Sequence, residues 1–281
     1  MKTILIPVDF TPTSNNAVDF AAAWAARYHY DRIILLRSFY DTVFDDVVMS
    51  TQYGNVSQDY RLEERQSAQL QLFTMKDALE SRVQGLEVLV LTSESSLLRA
   101  VMEIVEDEDV DTIVIGSDHE HYDSLSFVSR HVISVAKASP VKLIIVPAGY
   151  SYQPVQSALV PCDLSVAGSL HKLQDLHPSR LSEGVLFDVL ILDRKGHHLN
   201  PDEKFRKAEE EFHHYLHGFH HELYYAREKN ILEGVTKFLG DHAVDLIVAL
   251  PGRYSFLYSL THKSLSEALC RNADQPVLIL K

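Results

Sequence analysis

The sequence predicts an α/β fold made of two tandem five-stranded parallel-sheet α/β sandwich domains. The chain has 281 residues, which suits two domains of ordinary size. Short apolar runs alternate with longer amphipathic ones, as in a parallel sheet that is covered by helices on both faces. The plan also occurs twice: ILIPVDFT from Ile4 returns as ALVPCDLS from Ala158, and VDTIVIGS from Val110 returns as VDLIVALP from Val244.

The segment PAGYSYQPV, residues 147–155, is typical of a short linker because it contains Pro and Gly. We therefore assign residues 1–148 to the first domain and residues 156–281 to the second. The closing strands KLIIV and VLIL would be exposed edges if each domain stood alone. Intramolecular pairing of the two domains through these strands is therefore expected, and a homodimer is a further option.

The elements of the first half follow from the period of the apolar residues. The predicted strands are Thr3–Val8, Arg32–Ser38, Leu86–Thr92, Thr112–Gly116 and Lys142–Val146. The predicted helices are Ser14–His29, Asp59–Arg82, Ser95–Asp107 and Phe127–Ala138, with polar starts such as Thr13 and Ser93.

The second half repeats this order without the segment DTVFDDVVMSTQYGNVSQDY, residues 41–60, which we interpret as a loop insertion in the first half. The predicted strands of the second half are Ser157–Pro161, Phe187–Asp193, His220–Tyr225, Asp245–Leu250 and Val277–Leu280.

Composition excludes several classes of protein. The formal net charge of -13, with scattered Lys and Arg, argues against a nucleic-acid partner. Neither a signal peptide nor a membrane-spanning stretch is expected, so we expect a cytoplasmic protein without a membrane partner. Cys162 and Cys270 lack a CxxC spacing and are expected to be reduced core residues.

In open parallel sheets, ligands bind outside the carboxyl ends of the strands, where the strand order reverses. Asp9 and Asp163 end the first predicted strand of each half, and Gly116 and Leu250 end the fourth. These positions are therefore the first places to expect a ligand.

The strand ends IPVDFT and TIVIGS and the closing strand KLIIVP, repeated in tandem, resemble the universal stress protein family over essentially the whole chain. The resemblance implies an adenine nucleotide alpha hydrolase-like fold. In the nucleotide-binding branch of the family, an aspartate after the first strand and a pattern Gly-x2-Gly-x9-Gly-Ser/Thr after the fourth strand hold ATP.

This chain departs from that pattern. Counted from Gly116, the later positions hold His119, Ser129 and Arg130; counted from Leu250, they hold Arg253, Lys263 and Ser264. Glycine lets backbone N–H groups approach a phosphate and supplies positive φ, so its replacement weakens the expected ATP site. The cofactor-binding residues that the resemblance implies are Pro7, Asp9, Gly116, Ser117, Ser129, Arg130, Asp163, Lys263 and Ser264.

Each of these positions also has a purely structural interpretation. Asp9 and Asp163 could cap the following helix together with Thr11 or Ser165. Arg130 and His131 could hold an anion at a helix start, and the segment THKS, residues 261–264, could form an anion nest or merely a helix cap.

The run FHHYLHGFHH, residues 212–221, contains His213 and His217 at a spacing that can place two imidazoles on one helix face. Gly218 interrupts the helix, and no further metal motif accompanies the pair, so no metal site is predicted. The sequence also contains no recognisable catalytic constellation.

The resulting prediction is a stress-response binding or signalling module with unknown protein partners. We predict no cofactor or weakly bound ATP or AMP, and no enzymatic activity. The alternative is a universal stress protein that binds ATP or AMP, with slow hydrolysis or a nucleotide-dependent switch.

Overall fold

The structure is a computed structural model that describes residues 1–40, 58–118, 126–176, 182–250 and 274–281, without the side chains of residues 58–61 and 163–169. It divides into two compact units, Met1–Val141 and Lys142–Lys281. Among the described residues, no helix has both the length and the apolar character that crossing a lipid bilayer requires.

The strands of the first unit are parallel and follow the order β3-β2-β1-β4. Because β1 lies between β2 and β4, the chain reverses its direction of progress through the sheet beside β1. All residues of β1 and of β4 are buried, which agrees with their continuous apolar sequences. The strands are β1 Thr3–Pro7, β2 Arg32–Ser38, β3 Glu87–Ser93 and β4 Thr112–Ser117.

The first helix shows why the sequence folds as it does here. Thr11 is the N-cap and accepts a hydrogen bond from the N–H of Ser14, and Pro12 occupies the first helical position. His29 ends the helix in the left-handed conformation, with φ 56°. The helices of this unit are α1 Pro12–Tyr28, α2 Gln58–Arg82, α3 Leu97–Asp107, α4 Phe127–Arg130 and α5 Val132–Ala138.

The strands of the second unit follow the order β5-β10-β9-β6-β7-β8. Here β6 lies between β7 and β9, as β1 lies between β2 and β4 in the first unit. The pairs are parallel except for β5 and β10, in which Leu278 opposes Ile144 in an antiparallel register. The strands are β5 Lys142–Pro147, β6 Ser157–Asp163, β7 Leu186–Leu192, β8 His220–Ala226, β9 Leu246–Ala249 and β10 Val277–Ile279.

The helical segments of the second unit are a 3₁₀ segment over Leu164–Leu176, a 3₁₀ turn over His197–Leu199, α6 Glu203–Tyr215 and α7 Ile231–Asp241. Asn230 caps α7 by accepting from the N–H of Glu233 at 3.0 Å, and its amide donates back to the carboxylate of Glu233 at 2.9 Å. Aromatic side chains anchor α6, since Phe212 is fully buried and Phe205 nearly so.

The α/β fold class predicted from the sequence is confirmed, and each predicted strand lies within two residues of an observed one. Three details were wrong. The helix predicted over Phe127–Ala138 is broken at His131. The N-caps of α1 and α3 are Thr11 and Ser96 rather than the predicted Thr13 and Ser93. A 3₁₀ segment instead of an α-helix follows β6. The predicted loop insertion lies outside the described residues except for its last three, residues 58–60, which belong to α2.

Candidate functional site

The carboxyl ends of β1 and β4 meet at the reversal of strand order in the first unit, and the predicted residues of the first half collect there. Pro7 is the buried last residue of β1, and Asp9 follows two residues later. Gly116 and Ser117 end β4, and both are buried. This placement agrees with the general position of ligand sites in open parallel sheets.

Asp9 is the hydrogen-bonding centre of this edge. Its Oδ1 accepts from the backbone N–H of Thr11 at 3.2 Å and from the Thr11 hydroxyl at 2.6 Å. Its Oδ2 accepts from the hydroxyl of Ser126 at 2.6 Å and from the backbone N–H of Val128 at 2.9 Å. Both carboxylate oxygens are thus engaged by the protein's own donors, and the end of β1 is tied to the start of α4.

These contacts set the ionisation of the group. Burial alone raises the pKa of the Asp9 carboxyl, but the hydrogen bonds from Ser126, Thr11 and the N–H of Val128 favour the charged form. Together they hold the pKa of Asp9 below its ordinary value. Asp9 is therefore a carboxylate at neutral pH.

Gly116 has a structural role that needs no ligand. A Cβ at this position would lie 2.5 Å from the backbone oxygen of Thr13, which belongs to the first turn of α1. Only glycine allows this close approach of α1 to β4. The residue that best matched the nucleotide-binding pattern is therefore explained by helix packing.

Ser129, which stands where the pattern has its third glycine, faces the interior and is buried. Its hydroxyl accepts from the N–H of Asp118 at 2.9 Å and donates to Oδ1 of Asp118 at 3.1 Å. Ser129 thereby ties Asp118, which directly follows β4, to α4.

Arg130 follows Ser129 as the last residue of α4. It is exposed, and its guanidinium lies over the ring of Phe127 at 5.6 Å. The neighbouring His131 also contacts Phe127, with ring centroids 4.5 Å apart and Nδ1 2.8 Å from the Phe127 carbonyl oxygen. The structure therefore groups Pro7, Asp9, Gly116, Ser117 and Ser129 at one edge and turns Arg130 toward solvent.

The candidate residues of the second half cannot be compared in the same way. Asp163 ends β6 and pairs with Leu192 of β7, but its side chain lies outside the described residues. The described residues also exclude Arg253, Lys263 and Ser264 of the second half and His119 of the first half. Their roles stay predictions.

The histidine run does not place His213 and His217 together on one helix face. Helix α6 ends at Tyr215, and the chain turns through Gly218 at φ 91°. His213 pairs instead with His221 of β8, whose Nε2 lies 3.0 Å from the Nδ1 of His213. Among the described residues, no group of three or more His, Cys, Asp or Glu side chains is arranged to hold a metal ion.

Sequence reasoning did not single out Ser126, although it supplies one of the two donors that reach Asp9 from across the sheet edge. Ser126 is the N-cap of α4, accepts from the N–H of Ser129 at 3.1 Å and is buried. The local signal was present, because a serine directly before an apolar helical stretch is a typical N-cap.

A second cluster that sequence reasoning missed follows β7. The buried carboxylate of Asp193 accepts two hydrogen bonds from His198, one from its backbone N–H at 2.9 Å and one from the imidazole Nδ1 at 2.7 Å. It also accepts from the Nδ1 of His197 at 3.2 Å. The ring of His198 stacks on Tyr225 with centroids 4.7 Å apart. These contacts hold the turn between β7 and α6, and the segment DRKGHH after an apolar strand was the available signal.

Solved structures that resemble this chain indicate the same fold. A universal stress protein from Archaeoglobus fulgidus DSM 4304 is 16% identical, with a TM-score of 0.66, and the match covers 99% of this chain and 96% of that one. A putative universal stress protein from Pseudomonas aeruginosa UCBPP-PA14 is 14% identical, with a TM-score of 0.55 and coverages of 100% and 93%. The cytoplasmic domain of a prokaryotic cation chloride cotransporter is 9% identical, with a TM-score of 0.54 and coverages of 99% and 94%.

At these identities the structural matches show the fold alone. The comparison with curated protein sequences gave no match. The model of the universal stress protein family matches residues 1–147, which is more than half of the chain and includes the whole Asp9 edge. The chain therefore belongs to the universal stress protein family.

Proposed function

We propose that this protein is a stress-response binding and signalling module whose nucleotide site has degenerated, rather than an enzyme. The observation that carries the proposal is the set of contacts around Asp9. The carboxylate that the family resemblance assigns to an adenine nucleotide already accepts four hydrogen bonds from Thr11, Ser126 and Val128.

A nucleotide that used Asp9 would compete with these donors. Releasing Ser126 and the N–H of Val128 would leave two donors without their acceptor at a largely buried position, and each such loss costs about 1–3 kcal/mol. Losses of that size reduce affinity by one to several orders of magnitude. Nucleotide binding at this edge is therefore expected to be weak.

The other residues of the edge support the same conclusion. Gly116 is accounted for by the approach of α1, and Ser129 is engaged with Asp118. Arg130 is exposed, and its guanidinium lies over the ring of Phe127, so no described contact joins it to Asp9. We propose accordingly that the protein has no resident cofactor, or at most weakly bound ATP or AMP.

The proposal extends to partners. We propose a protein partner in the cytoplasm rather than nucleic acid or a membrane. We also propose that the two sequence repeats pair through their closing strands, which the antiparallel register of β5 with β10 supports. A homodimer is a further proposal for the same module.

The test is calorimetric titration of the purified chain with Mg-ATP and with AMP, after extraction to detect any co-purified nucleotide. We expect no stoichiometric nucleotide in the extract and at most weak binding in the titration. Asp9→Ala is the matched variant. Stoichiometric nucleotide, or tight binding that Asp9→Ala abolishes, would overturn the proposal in favour of an ATP-binding switch.

A further inference from the structure

Two histidines of the second unit lie side by side where the end of helix α6 meets the start of strand β8. His213 belongs to the last turn of α6, and His221 is the second residue of β8. The Nδ1 of His213 lies 3.0 Å from the Nε2 of His221, and the two ring centroids are 5.2 Å apart. We call these two residues the histidine pair. Two imidazole nitrogens at this distance are candidate ligands for one transition-metal ion.

A backbone contact fixes which nitrogen of His221 carries the lone pair. The Nδ1 of His221 lies 2.9 Å from the carbonyl oxygen of Phe219. A carbonyl oxygen can only accept, so Nδ1 carries the proton, and the Nε2 of the neutral ring presents its lone pair to His213. Histidines that bind metals almost always donate their other ring N–H in this way, which orients the ring. His221 is therefore oriented as a metal ligand through Nε2.

The core holds the backbone on both sides of the histidine pair. Phe212, directly before His213, is fully buried, and Phe219, two residues before His221, is nearly so. The ring of Phe219 packs edge-on against Phe187 of β7, with centroids 5.2 Å apart. His213 is exposed and His221 is half-buried, so an ion can reach the pair from solvent. Ligands that are positioned in advance lose less conformational entropy when they bind.

The separation of the two nitrogens suits a single ion. Nitrogen ligands lie about 2.0–2.1 Å from Zn²⁺, so two of them that subtend about 90–110° at one ion are about 2.8–3.4 Å apart. The 3.0 Å between the Nδ1 of His213 and the Nε2 of His221 falls within this range. The ion would lie beside the line that joins the two nitrogens, and the exposed ring of His213 can turn its Nδ1 toward that position.

Binding of an ion requires one proton to change its place. In the hydrogen bond of the pair, the Nδ1 of His213 donates and the Nε2 of His221 accepts. An ion at Nδ1 moves that proton to the Nε2 of His213 by exchange with water, which the exposure of this ring allows. Both imidazoles stay neutral, which is the form that binds metals. One hydrogen bond is thus replaced by two bonds to the ion.

The donor set indicates the class of ion. Among the described residues, no third His, Cys, Asp or Glu completes a metal-binding group with the pair, so water fills the other coordination positions. Imidazole nitrogen suits Cu²⁺, Ni²⁺ and Zn²⁺, whereas Mg²⁺ and Ca²⁺ prefer oxygen ligands. Of the divalent first-row ions, Cu²⁺ binds a given nitrogen site most tightly. We propose that the histidine pair binds one late first-row transition-metal ion per chain, with Cu²⁺ as the tightest-binding member of that class.

The inference goes beyond the proposed function, because the histidine pair shares no residue with the Asp9 edge and does not depend on nucleotide binding there. Calorimetric titration of the chain, without a histidine tag, tests it with CuCl₂ in the presence of glycine and with MgCl₂ as the probe of an oxygen-preferring ion. At about pH 7.5, where most imidazoles are neutral, we expect one Cu²⁺ per chain in the tightest class of sites and no saturable binding of Mg²⁺.

Electron paramagnetic resonance of the one-to-one copper complex gives an independent measurement, and its nitrogen hyperfine structure should show two coordinated imidazoles. Either of two results would overturn the proposal. One is the absence of saturable Cu²⁺ binding up to about 1 mM. The other is a spectrum with a single imidazole nitrogen in the one-to-one complex.

Variants then locate the site. His213→Gln and His221→Gln each leave a single imidazole, and each should weaken Cu²⁺ binding at least about tenfold. His213 is exposed, so its variant leaves the core untouched and is expected to fold. The matched control is His214→Gln, the neighbouring exposed histidine of α6, which should bind Cu²⁺ as the wild type does. Wild-type affinity in the His213 and His221 variants, or an equal loss in the His214 variant, would show that the histidine pair is not the site.

Discussion

At the scale of single residues, the groups that a nucleotide would use at the carboxyl ends of β1 and β4 are already engaged in holding the fold together. Asp9 accepts four hydrogen bonds from the protein. Gly116 has no Cβ, and this allows α1 to pack closely against β4. Both residues match the family's nucleotide-binding pattern in the sequence, yet each has a complete role in holding the fold. Identity at a motif position is therefore weaker support for binding than the contacts made there.

Gly116→Ala should destabilise the first unit. The added Cβ would stand 2.5 Å from the oxygen of Thr13, so the start of α1 must shift, at a cost of about 1–3 kcal/mol. Urea unfolding followed by circular dichroism measures the difference. The matched control is Gly240→Ala in α7, where nothing lies within 4 Å of the new Cβ and helix propensity favours alanine by up to about 1 kcal/mol. Similar effects of the two substitutions would contradict the packing role of Gly116.

Asp9→Asn should lower the free energy of unfolding at neutral pH by about 1–3 kcal/mol, because an amide cannot accept from Ser126, Val128 and Thr11 together. The folded-state pKa of Asp9 lies below its ordinary value. Its contribution is thus fully present above about pH 4 and is lost as the pH falls through the lowered folded pKa. The wild-type advantage over Asp9→Asn should therefore shrink in acid.

Urea unfolding of both proteins at pH 7 and at about pH 3 measures this effect. Asp19→Asn is the control, since Asp19 forms an exposed pair with Arg82, and such pairs contribute only about 0–1 kcal/mol. A wild-type advantage that stays constant from neutral to acid pH would mean that the charge of Asp9 does not stabilise the fold.

At the scale of elements, the apolar runs and their order predicted the strands well. The reason is clearest for β1 and β4, because a strand buried on both faces must be apolar along most of its length. Local pattern did not predict the break at His131. There the chain bonds the N–H of His131 to the carbonyl of Val128 and begins α5 anew. Nor could it predict that Ser126 and Val128 reach Asp9, because that contact joins residues more than a hundred positions apart.

The N-cap of α7 offers a prediction at this scale. Asn230 accepts from the N–H of Glu233, and Glu233 in turn accepts from the N–H of Lys229 at 3.3 Å. Asn230→Ala removes the cap and should cost about 0.5–2 kcal/mol, whereas Asn230→Ser keeps a good capping group and should cost much less. Thermal unfolding of the two variants measures the difference. If alanine and serine at this position are equivalent, the cap does not stabilise α7.

At the scale of the whole molecule, charge is the most pronounced feature, with 39 acidic and 26 basic residues. The exposed ion pairs of the helices, such as Arg99–Glu103 and Lys207–Glu203, contribute only a few tenths of a kcal/mol each. They are too weak to offset the repulsion among the excess carboxylates. Self-repulsion should therefore dominate the response of this protein to salt.

Raising the ionic strength from about 0.01 M to 0.15 M shortens the Debye length from about 30 Å to about 8 Å and should raise the melting temperature. The same charge should prevent binding to a random-sequence DNA duplex at the lower ionic strength, where any attraction to phosphate would be strongest. Differential scanning calorimetry and fluorescence anisotropy measure the two effects, with a basic DNA-binding protein as the positive control for the anisotropy. A melting temperature that falls with salt, or salt-sensitive binding to the duplex, would reveal a segregated basic face that the net charge of -13 conceals.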